Sequence, residues 1–302
     1  MISTSRSFNV TPFIATRTKF LLGLAAAFLV SGILTLYLTW KPPTLPSPPT
    51  LQATSQVAGI SQEVRSWVLD YQDLAQATTR HQAFWKLFAI LQANEDAARS
   101  IEKLVLSQQD NNTDLLAIAV GALSSEGSPK AQQALSDILQ AFDSDAQKAM
   151  TVMPQIMLLE QPQDFLFDEL QAFIRKSPNA LLREDAELVL AGLSHQASQM
   201  NVSLAQRINL WMNQKKAQLS NDSKNLAHYL DLLGNTANES FLSEILPFLD
   251  HEDAEVRKRA AFALRLFQNE RAASALRQRI SIEENPQVKQ RAIDALSYSH
   301  ST

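Results

Sequence analysis

The chain has 302 residues, with 7 Gly, 12 Pro and no Cys. Apolar residues make up 45% and charged residues 19%, which is the balance of a globular chain rather than a disordered one. Without Cys, disulfides, thiol nucleophiles, iron–sulfur clusters and Cys-ligated zinc are excluded. So few glycines also disfavour sheet-rich folds and phosphate-cradling loops.

Charge is unevenly placed. Residues 1–50 carry four bases (Arg6, Arg17, Lys19, Lys41) and no acid, whereas residues 51–249 carry 14 bases and 23 acids. Beside the basic end lies an uncharged run, Phe20 to Trp40, FLLGLAAAFLVSGILTLYLTW. As a helix it would span about 31 Å at ~1.5 Å per residue, the thickness of a bilayer core. Tyr37 and Trp40 stand at its far end, where aromatic rings favour the interface. The run is longer than a signal-peptide core, and its exit, Leu38-Thr39-Trp40-Lys41-Pro42, lacks a small-x-small cleavage site. The expectation is a transmembrane helix over 20–40 that follows a cytoplasmic tail, 1–19. Three bases before the span against one after it orient the body outward, into the periplasm if the cell is a Gram-negative bacterium. Gly23, Ala27 and Ser31 form a small-residue stripe on this span that would permit a homodimer.

Residues 41–56 follow as a proline-rich stalk. KPPTLPSPP (41–49) holds five prolines, which favour extended polyproline II and lift the body off the membrane.

From 57 to 302 apolar residues recur at helical spacing, and no alternating strand appears. Ser128-Pro129, Gln161-Pro162 and Asn285-Pro286 read as helix starts; Gly234 reads as a C-cap, with Asn238 opening the next helix. About fourteen short helices with short loops are expected, an all-α arrangement of antiparallel neighbours. The carboxy end repeats itself. A shift of 32 residues places Val256, Arg259, Ala260, Ala263 and Leu264 on Val288, Arg291, Ala292, Ala295 and Leu296. A shift near 31 aligns Leu233, Asn238, Glu239 and Ile245 with Leu264, Asn269, Glu270 and Leu276. The segments 84–91, 115–125 and 181–194 have the same character without a clear register.

The stretch EILPFLDHEDAEVRKRAAFALRLF (244–267) resembles a HEAT repeat, most clearly over 238–299. The resemblance implies an α-solenoid of stacked helix pairs over 57–302. It implies that Asp253 and Arg259 belong to a ladder between repeats, with Asn285 standing in place of the acid in the next. A weaker similarity, over 232–265 and 122–139, is to the helical domain of vitellogenin-type large lipid-transfer proteins.

Chemistry is sparse. The five histidines form no HExxH or i, i+4 pair, and there is no GxSxG, Walker loop or GxGxxG. His251-Glu252-Asp253 is the one local cluster of ligand types and reads as a polar turn; no metal or cofactor is expected. The body is acidic, and its one basic run, Arg257-Lys258-Arg259 followed by Arg265, Arg271, Arg277 and Arg279, is interleaved with Asp250, Glu252, Asp253 and Glu255, which argues against nucleic acid. On a helical wheel Lys258, Phe262 and Arg265 fall opposite the stripe Val256, Ala260, Ala263, Leu264 and Phe267, a patch that would bind a protein partner. The sequence therefore predicts a membrane-anchored, non-catalytic scaffold. Its rivals are a carrier of lipid or another apolar ligand, and an enzyme whose site is assembled from dispersed residues.

Overall fold

The structure is a computed structural model and describes residues 60–72, 77–94, 96–107, 113–220 and 222–299. The expected tail, transmembrane helix, stalk and Gly23/Ala27/Ser31 stripe lie outside these residues. Among the described residues no helix is long and apolar enough to cross a membrane.

The described residues contain no strand. They form fourteen α-helices: α1 (Gln62–Gln72), α2 (Ala77–Ala93), α3 (Ala97–Ser107), α4 (Thr113–Glu126), α5 (Pro129–Ala141), α6 (Ala146–Met157), α7 (Phe165–Lys176), α8 (Ala180–Met200), α9 (Val202–Ala217), α10 (Ser223–Thr236), α11 (Leu242–Ile245), α12 (Ala254–Ala263), α13 (Glu270–Ile282) and α14 (Pro286–Ser299). Short 3-10 turns flank α11 (Glu239–Phe241 and Leu246–Asp250) and extend α12 (Leu264–Leu266).

The helices stack in two rows. Each even helix packs on its even neighbours, from α2 and α4 through to α12 and α14, and the odd helices form the second row. Even neighbours are in contact throughout, whereas in the odd row α3 and α5 pack closely but contact thins toward α7, α9 and α11. The face presented by the even helices is termed the inner face. The three segments whose repeat register was obscure, 84–91, 115–125 and 181–194, fall on α2, α4 and α8, all of the inner row.

Local sequence explains most helix starts. Ser128 accepts from the Ala131 N–H at 3.2 Å ahead of an N1 proline. Asp145, Asn179, Asn201, Asp222, Asp253, Asn269 and Asn285 cap in the same manner. Each such cap stabilises its helix by about 1 kcal/mol. α7 departs from expectation: it opens at Phe165 rather than at Gln161-Pro162, and Asp164 makes no side-chain cap.

Gly234 is also corrected. It lies inside α10, and the helix ends instead on Ala237, whose φ of 47° is left-handed. Gly234 is there for close approach: a Cβ on it would sit 2.7 Å from Ala263 Cα. Gly192 of α8 makes room for a side chain instead: a Cβ on it would sit 2.5 Å from Met157 Sδ of α6. The residues repeated at a shift of 32 are the ones buried at these joints: Val256, Ala260 and Ala263 on α12, Val288, Ala292 and Ala295 on α14. Asn238 and Asn269, aligned by the shift near 31, both cap the first helical turn of their pairs.

Candidate functional site

A seam of ionisable groups runs between the helices from α8 to α12. Glu187 of α8 is almost fully buried; one oxygen accepts from Lys215 Nζ of α9 and the other lies 2.8 Å from His228 Nε2 of α10. One carboxylate thus ties three successive helices, and its two partners hold it below the usual carboxylate range against the effect of burial. Asp185, two residues before Glu187, is pushed up to about 6 by burial and by the neighbouring Glu184, with His228 opposing. Glu184 itself pairs with Lys224 at 3.4 Å.

Further along, Arg259 of α12 donates to Asp231 of α10 at 2.8 Å and to Glu255 on its own helix at 2.9 Å. Burial raises the Asp231 carboxyl, with Arg259 and Arg265 working against it. Arg265 is 2% exposed; it donates to Asn235 Oδ1 at 2.8 Å and to the Phe262 carbonyl at 3.1 Å. Burial pushes its guanidinium down to about 10, so it stays charged at neutral pH without a contacting carboxylate. The Phe262 ring is held between two guanidinium groups, Arg265 at 3.9 Å and Arg291 of α14 at 4.8 Å.

This overturns the expected exposed patch at Lys258, Phe262 and Arg265. Phe262 is 6% exposed and is enclosed by its neighbours. The helical wheel recognised one buried side, but α12 lies between α10 and α14 as well as against the outer row, so its flanks are covered too. Arg265 also belongs to a 3-10 turn, where the 100° step of the wheel no longer applies. Lys258 stays partly exposed and pairs with Glu255.

The expected ladder is present with different members. Asp253 has no arginine partner across the repeats; it caps α12, accepting from the Glu255 N–H at 2.8 Å, and meets the preceding pair through a hydrogen bond with Ser223 of α10. The bridging acids are Asp231, on Arg259, and Glu283, which accepts from Arg257 Nε and Nη2 at 3.0 Å each. Arg279 adds a contact to Glu283 at 2.6 Å and one to Asp250 at 3.0 Å. The Glu283 side chain is 1% exposed, and Arg257, the Asn285 N–H and Arg279 together hold its carboxyl down to about 2. The acid that appeared to be missing at Asn285 is thus supplied two residues earlier.

Arg257 also donates to the His251 and Glu252 carbonyls at 2.9 and 2.8 Å, closing the turn before its own helix. Sequence reading missed that Arg183 repeats this device. It donates to the Ser177 and Pro178 carbonyls at 2.8 and 3.2 Å. The signal was available as spacing: Asn179 to Arg183 matches Asp253 to Arg257, cap to cap-plus-four.

His251 Nδ1 accepts from the Asp253 N–H at 3.1 Å, which makes His251-Glu252-Asp253 a turn. No group of three His, Asp or Glu able to hold a metal occurs among the described residues. Two cavities are open to solvent. One, about 550 Å³, lies between α1 and α2 beside Trp67 and Lys86. The other, about 470 Å³, lies over Glu283 and its arginines. Neither contains Asp185, Glu187, His228 or Asp231.

Residues 215–297 match the family model of HEAT repeats, and this part of the chain is a run of such repeats. The similarity to vitellogenin-type proteins is not shown by that match. Among solved structures the chain is similar to human deoxyhypusine hydroxylase in complex with glycerol, at 15% identity and a TM-score of 0.32, over 80% of this chain and 97% of that one. A search of the curated proteins gives no match.

Proposed function

We propose that the chain is a membrane-tethered, non-catalytic scaffold whose HEAT-repeat row binds another protein along its inner face. The observation that carries this reading is the unbroken even row: seven helices, α2 to α14, contribute side chains to one long surface. Repeats of this kind present extended concave surfaces rather than deep sites. The buried ionisable groups serve the same end. Glu187, Asp231 and Glu283 are each engaged by cations from a neighbouring helix, which fixes the row rather than freeing a carboxylate for proton transfer. The apolar run 20–40 supplies the tether, the basic residues before it set an outward body, and Gly23, Ala27 and Ser31 would let two tethers pair.

Crosslinking the full-length chain in its native membrane, followed by purification and analysis of protein and lipid together, tests this. A stoichiometric protein partner in the membrane fraction is expected. Enriched lipid with no protein would replace the scaffold by a carrier, and recovery of the chain in the soluble fraction would remove the tether.

A further inference from the structure

Positive charge gathers where α10, α12 and α14 meet. The Phe262 ring has the Arg265 guanidinium 3.9 Å from its centroid and the Arg291 guanidinium at 4.8 Å. The two cations are therefore no more than about 9 Å apart, inside the ~10 Å over which charges act on one another in about 0.1 M salt. Their repulsion is felt: burial lowers the Arg265 guanidinium, Asp231 and Tyr298 raise it, and Arg291 lowers it again. The acids nearby are already engaged. Arg259 pairs with both Asp231 and Glu255, and Lys258 also holds Glu255. Asp294, one turn beyond Arg291, accepts from Gln290 at 2.9 Å.

The two arginines differ in what they can still offer. Arg265 is 2% exposed, and its bonds to Asn235 and to the Phe262 carbonyl leave only Nε without a partner. Arg291 is partly exposed. Among the described residues it meets the Phe262 ring but makes no hydrogen bond or ion pair, so its N–H groups are uncommitted. Ordering a long side chain costs entropy when a ligand binds. Here the ring contact restricts Arg291 before any ligand arrives. Its planar fork matches a carboxylate through two parallel N–H bonds.

We propose that Arg291, seated on Phe262 and backed by the buried charge of Arg265, is a carboxylate-binding site on the inner face that takes an acidic side chain of the protein partner. The source of that carboxylate rests on the scaffold reading. A carboxylate on Arg291 accepts from its fork and, lying close to both cations, offsets the repulsion between them. The partner segment at this joint therefore carries Asp or Glu. An acidic body would by itself select the opposite, a basic complement.

The probe is a fluorescently labelled hexaglutamate peptide, titrated at low salt into the full-length chain in neutral detergent, with hexaglutamine as the uncharged control. Saturable binding is expected for hexaglutamate alone. Arg291→Gln should weaken it about tenfold, the size of one charge-assisted hydrogen bond. Arg271→Gln, at an exposed base on α13, should leave it nearly unchanged. Arg291→Lys keeps the charge but loses the fork and should recover little of the affinity. If circular dichroism shows that Arg291→Gln does not fold, the lysine variant carries the test. No saturable binding, or equal losses for Arg291→Gln and Arg271→Gln, overturns the site. Displacement by inorganic phosphate at concentrations far below those needed for acetate overturns the carboxylate in favour of a phosphate group. In the crosslinking experiment on native membranes, a protein partner recovered equally with wild type and Arg291→Gln overturns the site and keeps the scaffold. Hexaglutamate binding with no protein partner recovered keeps the site and removes the scaffold.

Discussion

At Gly234 two opposing effects can be weighed. Alanine is the better helix former by about 1 kcal/mol. Here, however, its Cβ would meet backbone and Cβ atoms of Ala263 at 2.7 to 3.1 Å, and backbone cannot swing aside. Gly234→Ala is therefore expected to lose about 1–3 kcal/mol net by urea unfolding; a gain would show that α10 and α12 separate freely. Glu283 is the acid at which two arginines from successive pairs converge. Removing a buried partner leaves uncompensated charge, so Glu283→Ala should cost about 3 kcal/mol. Because its folded pKa is depressed, its contribution is present above about 4.5 and disappears as pH falls toward about 2. Asp185 has the opposite sign. Its raised pKa favours folding in acid, and the ionised form opposes folding as pH rises through about 6. Asp185→Asn should accordingly raise the stability measured by urea unfolding at pH 7.5, by up to about 3 kcal/mol at ~1.4 kcal/mol per pKa unit, and leave it nearly unchanged at pH 4. An equal gain at both values would assign the effect to packing.

At the scale of the element, what was legible from sequence was what each helix does by itself. Ser128-Pro129 and Asn285-Pro286 were readable because a cap and an N1 proline act within a few residues. The stripe Val256, Ala260 and Ala263 was readable because burial against one partner leaves a helical period. Phe262 and Arg265 were misread because a helix enclosed on three sides no longer has a period that separates inside from outside. The seam of Glu187, Lys215 and His228 was not readable at all, since it joins three helices and no local spacing announces it. The arginine that closes the turn before its own helix shows how far a spacing rule reaches. Arg183→Ala should cost about 1–3 kcal/mol for its bonds to two carbonyls. Arg257→Ala, which also abandons Glu283, should cost more. Equal losses in chemical denaturation would mean that the salt bridge adds nothing to the turn.

For the whole molecule, a row in which each pair leans on the next divides its stability among nearest-neighbour joints. A chain ending at Glu284 loses α14 and uncovers Phe262, whose ring is sandwiched in part by Arg291. It should bind an apolar dye and melt earlier at its carboxy end, while hydrogen exchange at α4 to α8 stays protected. Uniform loss of protection would show a single cooperative unit instead.

The unequal packing of the two rows has a mechanical side. The inner joint at Gly234 brings α10 and α12 into near-backbone contact and hardly stretches. On the other side, α9 and α11 barely touch. Such a body is a leaf spring with one inextensible edge. Bending is therefore taken up first at the outer seam between α9 and α11. Opening that seam curls the inner face over α8 to α12 more tightly and closing it flattens the face, with the order of residues intact.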